Sequence, residues 1–240
     1  MVFASLIIQS KATSVSILGP VRLCPGKASF AWKAAVDRAT GIASTLETSQ
    51  APKKSPLFRH LDDDIDENLP LVATELFADY PAWLCRFPVT FGTIRAVPMH
   101  GGYEIRDRLF GTLLLAFGKA RTHHFSIEKK REGGLSIQQS RSTVSIPITG
   151  GLLSRPVAAS DSALVCTIST KRVQREKRTL QPELESCSIF TKLYGFRPFL
   201  TGDGPVHPLR AWFYLSTQSI VHAHVTWRLH RRCWKGSRNN

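Results

Sequence analysis

Beyond Tyr80 the chain breaks into short runs rich in Val, Ile, Thr, Phe and Leu: Trp83 to Phe87, Val89 to Val97, Tyr103 to Leu109 and Thr112 to Phe117. Gly and Pro set these runs apart. Such runs suit a pleated, half-buried surface and the punctuation between them is turn chemistry, so the pattern implies an antiparallel all-β body. The clearest element is a hairpin in which Ile127 sits opposite Ile137, leaving Arg131, Glu132 and Gly133 as a three-residue loop. In that register Phe125, Ile127, Leu135 and Ile137 share one face. A second hairpin pairs Ala163 to Thr170 with Thr179 to Ile189 through a basic tip at Lys171, Arg172, Arg175, Lys177 and Arg178.

The last long segment carries two readings. From Phe213 to Leu229, Phe213, Leu215, Val221, Ala223, Val225, Trp227 and Leu229 share one parity, while Gln218, His222, His224, Thr226, Arg228 and His230 share the other. That alternation, with the β-branched Ile220, Val221, Val225 and Thr226, favours a half-buried strand. The rival is a helix from Leu209 to Arg232, with Pro208 as an early helical residue and Arg231 and Arg232 beside the negative end of its dipole.

Upstream, residues 29–42 (SFAWKAAVDRATGI) read as a first helix, and the Thr, Ser, Gln, Pro and Lys of residues 47–55 read as a connector. Residues 1–54 are therefore expected to be an irregular arm and residues 55–240 a single β-rich domain with a basic tail. Residues 57–80 offer two short helical stretches around Pro70, with Leu71, Val72, Leu76 and Phe77 as an apolar stripe. The expected fold class is mainly β: a curved antiparallel sheet or barrel-like body with one or two short helices N-terminal to it. The alternative is a helix-grip α+β arrangement with a C-terminal helix.

The formal net charge of +14 creates a field able to hold anionic partners. It is concentrated late in the chain, where residues 135–240 carry fifteen Lys and Arg against five acids. In the tail, Trp227 and Trp234 interleave with Arg228, Arg231, Arg232 and Lys235, a composition that suits single-stranded nucleic acid or an anionic membrane surface. No apolar run approaches the ~20 residues of a membrane-spanning helix. Cys24, Cys85, Cys166, Cys187 and Cys233 are dispersed and odd in number, as expected of thiols in an intracellular reducing compartment. Only a Cys166 to Cys187 bridge, across two paired strands, is conceivable. The first acid is Asp37, and the hydroxyl-rich stretch before it has the cast of an organelle import signal.

Few residues point to chemistry. On a strand His222 and His224 would project to the same side, as metal-binding pairs do, but no third ligand stands at a telling spacing, so neither a metal nor a cofactor is implied. There is no nucleophile elbow and no phosphate-binding glycine frame around Gly150 and Gly151. The TGDG run at residues 201–204 reads as a turn. A curved sheet that closes on itself or over a helix leaves an interior lined by alternate residues. Tyr103, Ile105, Phe125, Ile127, Val221, Val225 and Trp227 are the expected walls, and Arg106, Arg108, His124, His222 and His224 the polar points. The expected function is binding of a small apolar or amphipathic molecule there. The first alternative is a nucleic-acid or anionic-surface binder using Lys171, Arg172, Arg175, Arg228, Arg231 and Arg232, and the second is an enzyme centred on His222 and His224.

Overall fold

The computed structural model describes residues 7–11, 14–21, 29–53, 55–63, 68–85, 92–131, 135–154, 162–175, 183–202 and 205–235. Four strands open the chain: β1 (Ile7–Lys11), β2 (Ser14–Val21), β3 (Phe30–Asp37) and β4 (Ala43–Gln50). Three short helices follow, α1 (Pro56–Asp63), α2 (Leu69–Phe77) and α3 (Tyr80–Cys85). Then come β5 (Ile94–Met99), β6 (Gly102–Asp107), β7 (Leu113–Phe117), β8 (Arg121–Arg131), β9 (Leu135–Gly150), β10 (Ala163–Arg175), β11 (Glu183–Phe196) and the long helix α4 (Pro208–Trp234). The strands pair in the order β1-β2-β3-β4-β11-β10-β9-β7-β6-β5, with β8 joined to β9 off that path. Each pairing is antiparallel, and β1 and β5 remain as separate edges, so the sheet is mainly β as expected but not closed into a barrel.

Two sequence expectations are overturned in the first half of the fold. Residues 29–42 form no helix: Phe30, Trp32, Ala34 and Val36 alternate inward along β3 with Ala31, Lys33, Ala35 and Asp37 outward. The turn to β4 is set locally, since Asp37 Oδ1 accepts the N–H groups of Ala39 and Thr40 and Gly41 takes the left-handed φ of 71°. Nor does the described part of the arm lie apart from the body. β4 pairs with β11 from Ser188↔Gln50 to Phe196↔Ala43, so strands read as arm and connector continue the same sheet.

The two hairpins form, with differences. β8 meets β9 with Ile127 opposite Gln139 and Arg131 opposite Leu135, a two-residue shift from the expected register that preserves the parity of every side chain. Phe125 and Ile127 nevertheless face solvent. In the second hairpin β10 runs on to Arg175, which places Lys171 and Arg172 within the strand rather than at a tip. Cys166 lies opposite Thr191 and Cys187 opposite Thr170, so the conceivable bridge is absent and both thiols are free and buried.

The final segment is the helix, and the strand reading is wrong. His207 caps it, its Nδ1 accepting the Leu209 N–H, Pro208 occupies the first turn, and Arg231 and Arg232 lie in the last. Its buried stripe runs Ala211, Leu215, Ser219, Ala223, Thr226, His230 and Cys233, a step of three or four at every interval. Phe213 and Val221, expected on the buried face of a strand, are exposed, as are Trp212 and Ile220 beside them. α4 spans the two hydrophobic clusters on one side of the sheet. Its N-terminal part packs Ala211, Tyr214 and Leu215 against Phe30, Trp32 and Val36, and its C-terminal part packs Val225, Leu229 and Trp234 with Leu57, Phe77, Ile146 and Ile168. No helix of the described residues is long and apolar enough to cross a membrane.

Candidate functional site

Between α4 and the sheet lies a cavity of about 340 Å³. Strands supply one wall, with Leu115 and Phe117 from β7, Ile148 from β9, Leu164 from β10, and Leu193 and Phe196 from β11. Tyr80 and Leu84 of α3 close one side. The helix supplies Tyr214, Thr217, Gln218, Val221, His222 and Val225, which recur at the three- and four-residue spacing of one helical face. Aliphatic and aromatic groups therefore dominate the lining, and its few polar groups are concentrated on α4.

The most unusual side chain of the region stands beside His222. β4 turns Ala43, Thr45, Glu47 and Ser49 to its buried face, and Glu47 is completely inaccessible. Its Oε1 lies 3.5 Å from His222 Nε2, yet neither carboxylate oxygen accepts a hydrogen bond. Three residues of the cavity wall lie within the electrostatic influence of that carboxylate. Burial raises the phenols of Tyr80 and Tyr214 far above their ordinary range; Cys166 and then Glu47 raise Tyr80 further, against a hydrogen bond with Thr226, and Glu47 raises Tyr214. The third is His222 itself. Burial likewise pushes the Cys166 and Cys187 thiols up to about 12, which removes them as nucleophiles near neutral pH.

Just over two turns further along α4, His230 plays a structural part. It is fully buried, with Nδ1 2.9 Å from Ser49 Oγ and Nε2 2.8 Å from Thr191 Oγ1, and its ring meets Phe30 edge to face. Burial and the nearby His222 hold its imidazole down at about 3. A neutral ring, donating at one nitrogen and accepting at the other, satisfies both hydroxyls. Thus α4 is tied to β4 and β11 beside the cavity.

Of the residues expected at a ligand site, only His222 and the wall residues Val221 and Val225 line the cavity. His224 does not, because two residues on a helix are separated by about 200° of rotation. Its ring instead faces Trp227 at 5.6 Å, and the Arg231 guanidinium lies 5.6 Å from the Trp227 ring, so these three form an outer stack. The His222 and His224 pair is therefore split, and an enzyme built on both loses its geometric basis. Tyr103 donates to Asp79, Arg106 pairs with Glu104 at 2.8 Å and donates to the Gly111 carbonyl, and His124 is exposed on β8. None of these three reaches the cavity. Among the described residues no cluster of His, Cys, Asp and Glu could hold a metal ion.

The basic set divides as well. Arg228 and Arg231 are exposed, Arg232 is partly covered, and Lys171 pairs with Glu185 at 2.5 Å. Trp234 is buried in the core, which removes one of the two aromatics expected to stack on a base. Arg172 is buried and donates to the Leu61 carbonyl, clamping β10 to α1. Charge-assisted bonds of this type contribute ~1.5–3 kcal/mol, so Arg172→Ala should lower the unfolding free energy measured in urea by about that amount, whereas Lys171→Ala at the exposed pair should change it little. The Arg175 side chain, the loop at 132–134 and Asp203 lie outside the described residues.

Glu47 was missed from sequence because its neighbours read as a connector. The signal available was parity: Thr45, Glu47 and Ser49 alternate with Ser44, Leu46 and Thr48 in line with Ala43. Comparison with protein-family models, with curated proteins and with solved structures finds no match.

Proposed function

We propose that the protein binds a small apolar or amphipathic molecule in the cavity between α4 and the sheet. The observation that carries this reading is the cavity itself, about 340 Å³ with a largely hydrocarbon lining and a few polar groups along one helix. That combination is typical of small-molecule sites, which rely on apolar walls for affinity and on a few polar groups for orientation.

Nile red, a neutral dye whose emission brightens in apolar surroundings, tests the reading directly. It should bind the native protein, and octan-1-ol should displace it while raising the thermal midpoint. Val221 lines the cavity but is 41% exposed, so Val221→Trp can place an indole across the space without opening the core. This variant should keep the native circular dichroism and lose at least about tenfold in dye affinity, or ~1.4 kcal/mol. Equal binding by the native protein and Val221→Trp would sink the assignment to this cavity.

A further inference from the structure

The outer face of α4 divides into two chemically different ends. Leu209, Phe213, Ile220, His224, Trp227 and Arg231 follow one another at steps of three, four or seven, so they form one line along the side opposite the buried stripe. At the N-terminal end Leu209 is 68% exposed and Trp212 and Phe213 are each 51% exposed, with Ile220 further along the same line. Phe199 and Leu200 join them in lining a surface groove of about 640 Å³, together with Arg210. The C-terminal end is basic instead. Arg228, Arg231 and Lys235 are exposed there, and the Trp227 ring contacts both His224 and the Arg231 guanidinium. No Asp or Glu occurs among the 27 residues of the helix.

We propose that this face docks the protein on an anionic lipid bilayer, with α4 lying in the plane of the membrane surface. Single exposed apolar side chains need no explanation, but a contiguous set of aromatic and aliphatic groups marks an interaction surface. Leu, Trp and Phe bury their apolar bodies at the boundary between headgroups and acyl chains, and an indole keeps its N–H at the polar level. Arg231 lies roughly 27 Å along the axis from Phe213, so the cations meet lipid headgroups where each strengthens binding by about fivefold. Two other occupants fit less well. In a second copy docked through the same face, a parallel arrangement sets the basic ends together, while an antiparallel one lays each basic end on its partner's apolar end. Single-stranded nucleic acid offers bases to Trp212 and Phe213 but leaves Leu209 and Ile220 without an apolar partner. A bilayer supplies hydrocarbon and anionic charge together in one plane. Val221, on the flank of this face, also lines the cavity, so the docked protein sets the cavity beside the lipid. The docking itself does not depend on the cavity reading.

Flotation with vesicles of phosphatidylcholine, with and without about one-third phosphatidylserine, provides the test. The native protein should float with the mixed vesicles and bind those of phosphatidylcholine at least about tenfold more weakly. Trp212→Ser combined with Phe213→Ser should weaken binding to the mixed vesicles at least about tenfold and keep the native circular dichroism, since both side chains are half exposed. Trp212→Phe should still bind, yet lose most of the quenching of tryptophan emission that acyl-brominated lipid produces in the native protein. That conservative variant decides the matter if the double variant folds poorly. Absence of binding to the mixed vesicles overturns the proposal. So does equal binding by the double variant, which assigns adsorption to the net charge of +14 rather than to this face, or quenching that Trp212→Phe leaves unchanged. Binding of oligothymidylate, or self-association, that the double variant abolishes while vesicle binding persists gives the face to that partner and overturns it as well. Nile red binding without vesicles, and its loss in Val221→Trp, reports on the cavity separately.

Discussion

Acidification from about pH 7 to about pH 4 should cost the native protein several kcal/mol of stability, and a His230→Gln variant should lose distinctly less over the same interval. The sign follows from where the proton goes. In the unfolded chain the His230 imidazole binds a proton near 6.5, whereas burial and the adjacent His222 keep it neutral in the folded state down to about 3. Between these values the unfolded state carries the extra proton, so stability falls as pH falls. Each pH unit inside that window contributes up to ~1.4 kcal/mol. Above about 6.5 both states are neutral at this residue, and the full contribution is present.

Chemical denaturation at several pH values measures the effect, provided the comparison is made as a difference between the two proteins. Carboxylates elsewhere titrate similarly in both and largely cancel. Near neutrality His230→Gln should be the less stable, because the amide cannot bridge Ser49 Oγ and Thr191 Oγ1 with the geometry of the imidazole. As pH falls the gap should narrow and then reverse. Stability curves that stay parallel down to about pH 4 would show that His230 exchanges protons with solvent in the folded state, contrary to its complete burial.

This residue also shows why the fold was only partly legible in the sequence. His230 belongs to the buried stripe of α4 together with Ser219 and Thr226, so the stripe contains polar groups at the positions where a helical period is normally read from apolar ones. At the same time Trp212, Phe213, Ile220 and Val221 place bulk on the outer side. Composition alternated at two while burial repeated at three and four, and the tertiary arrangement decided the outcome. End signals were more reliable: Pro208, Arg231 and Arg232 each occupy the position that the helix reading required. In the sheet the parity of β8 and β9 was readable because a slip of two residues preserves faces, but the register itself depended on where the turn closes.

The candidate site was less legible than the fold, for a physical reason. Its key contact joins Glu47 on β4 to His222 on α4, and no local spacing announces a contact between residues so far apart in sequence. The strand reading of α4 also coupled His222 to His224, which the helix places on different sides. A cavity between a sheet and a helix was foreseen in outline. Of the residues expected there, Val221, His222 and Val225 line it, whereas Tyr103, Arg106 and His124 belong to strands whose polar side chains find partners or solvent elsewhere.

Gly151→Ala should destabilise the protein by roughly 3 kcal/mol or more, and the damage should extend to the cavity. Gly150 and Gly151 carry no phosphate-binding frame, and the structure gives Gly151 a different purpose. After β9 the chain doubles back along β7, where Leu152 N–H donates to the Leu113 carbonyl at 3.0 Å and Leu153 N–H to the Leu114 carbonyl at 2.9 Å. Gly151 makes this approach with φ of 114°, a conformation that L side chains rarely adopt. A Cβ there would collide with the Leu114 carbonyl oxygen and stand 2.6 Å from Leu115 Cα, so backbone rather than a flexible side chain must yield. Backbone strain of ~1–3 kcal/mol and overpacking of similar size both apply, although they relax together and do not simply add. Leu115 and Leu153 line the cavity on either side of this contact, so displacement of the segment alters the wall itself. Urea denaturation should report the lost stability, and Nile red affinity should fall in the fraction that remains folded. A variant with native stability and native dye binding would mean that β7 and the segment after β9 can separate without consequence, and would remove this turn from the account of how the cavity is held.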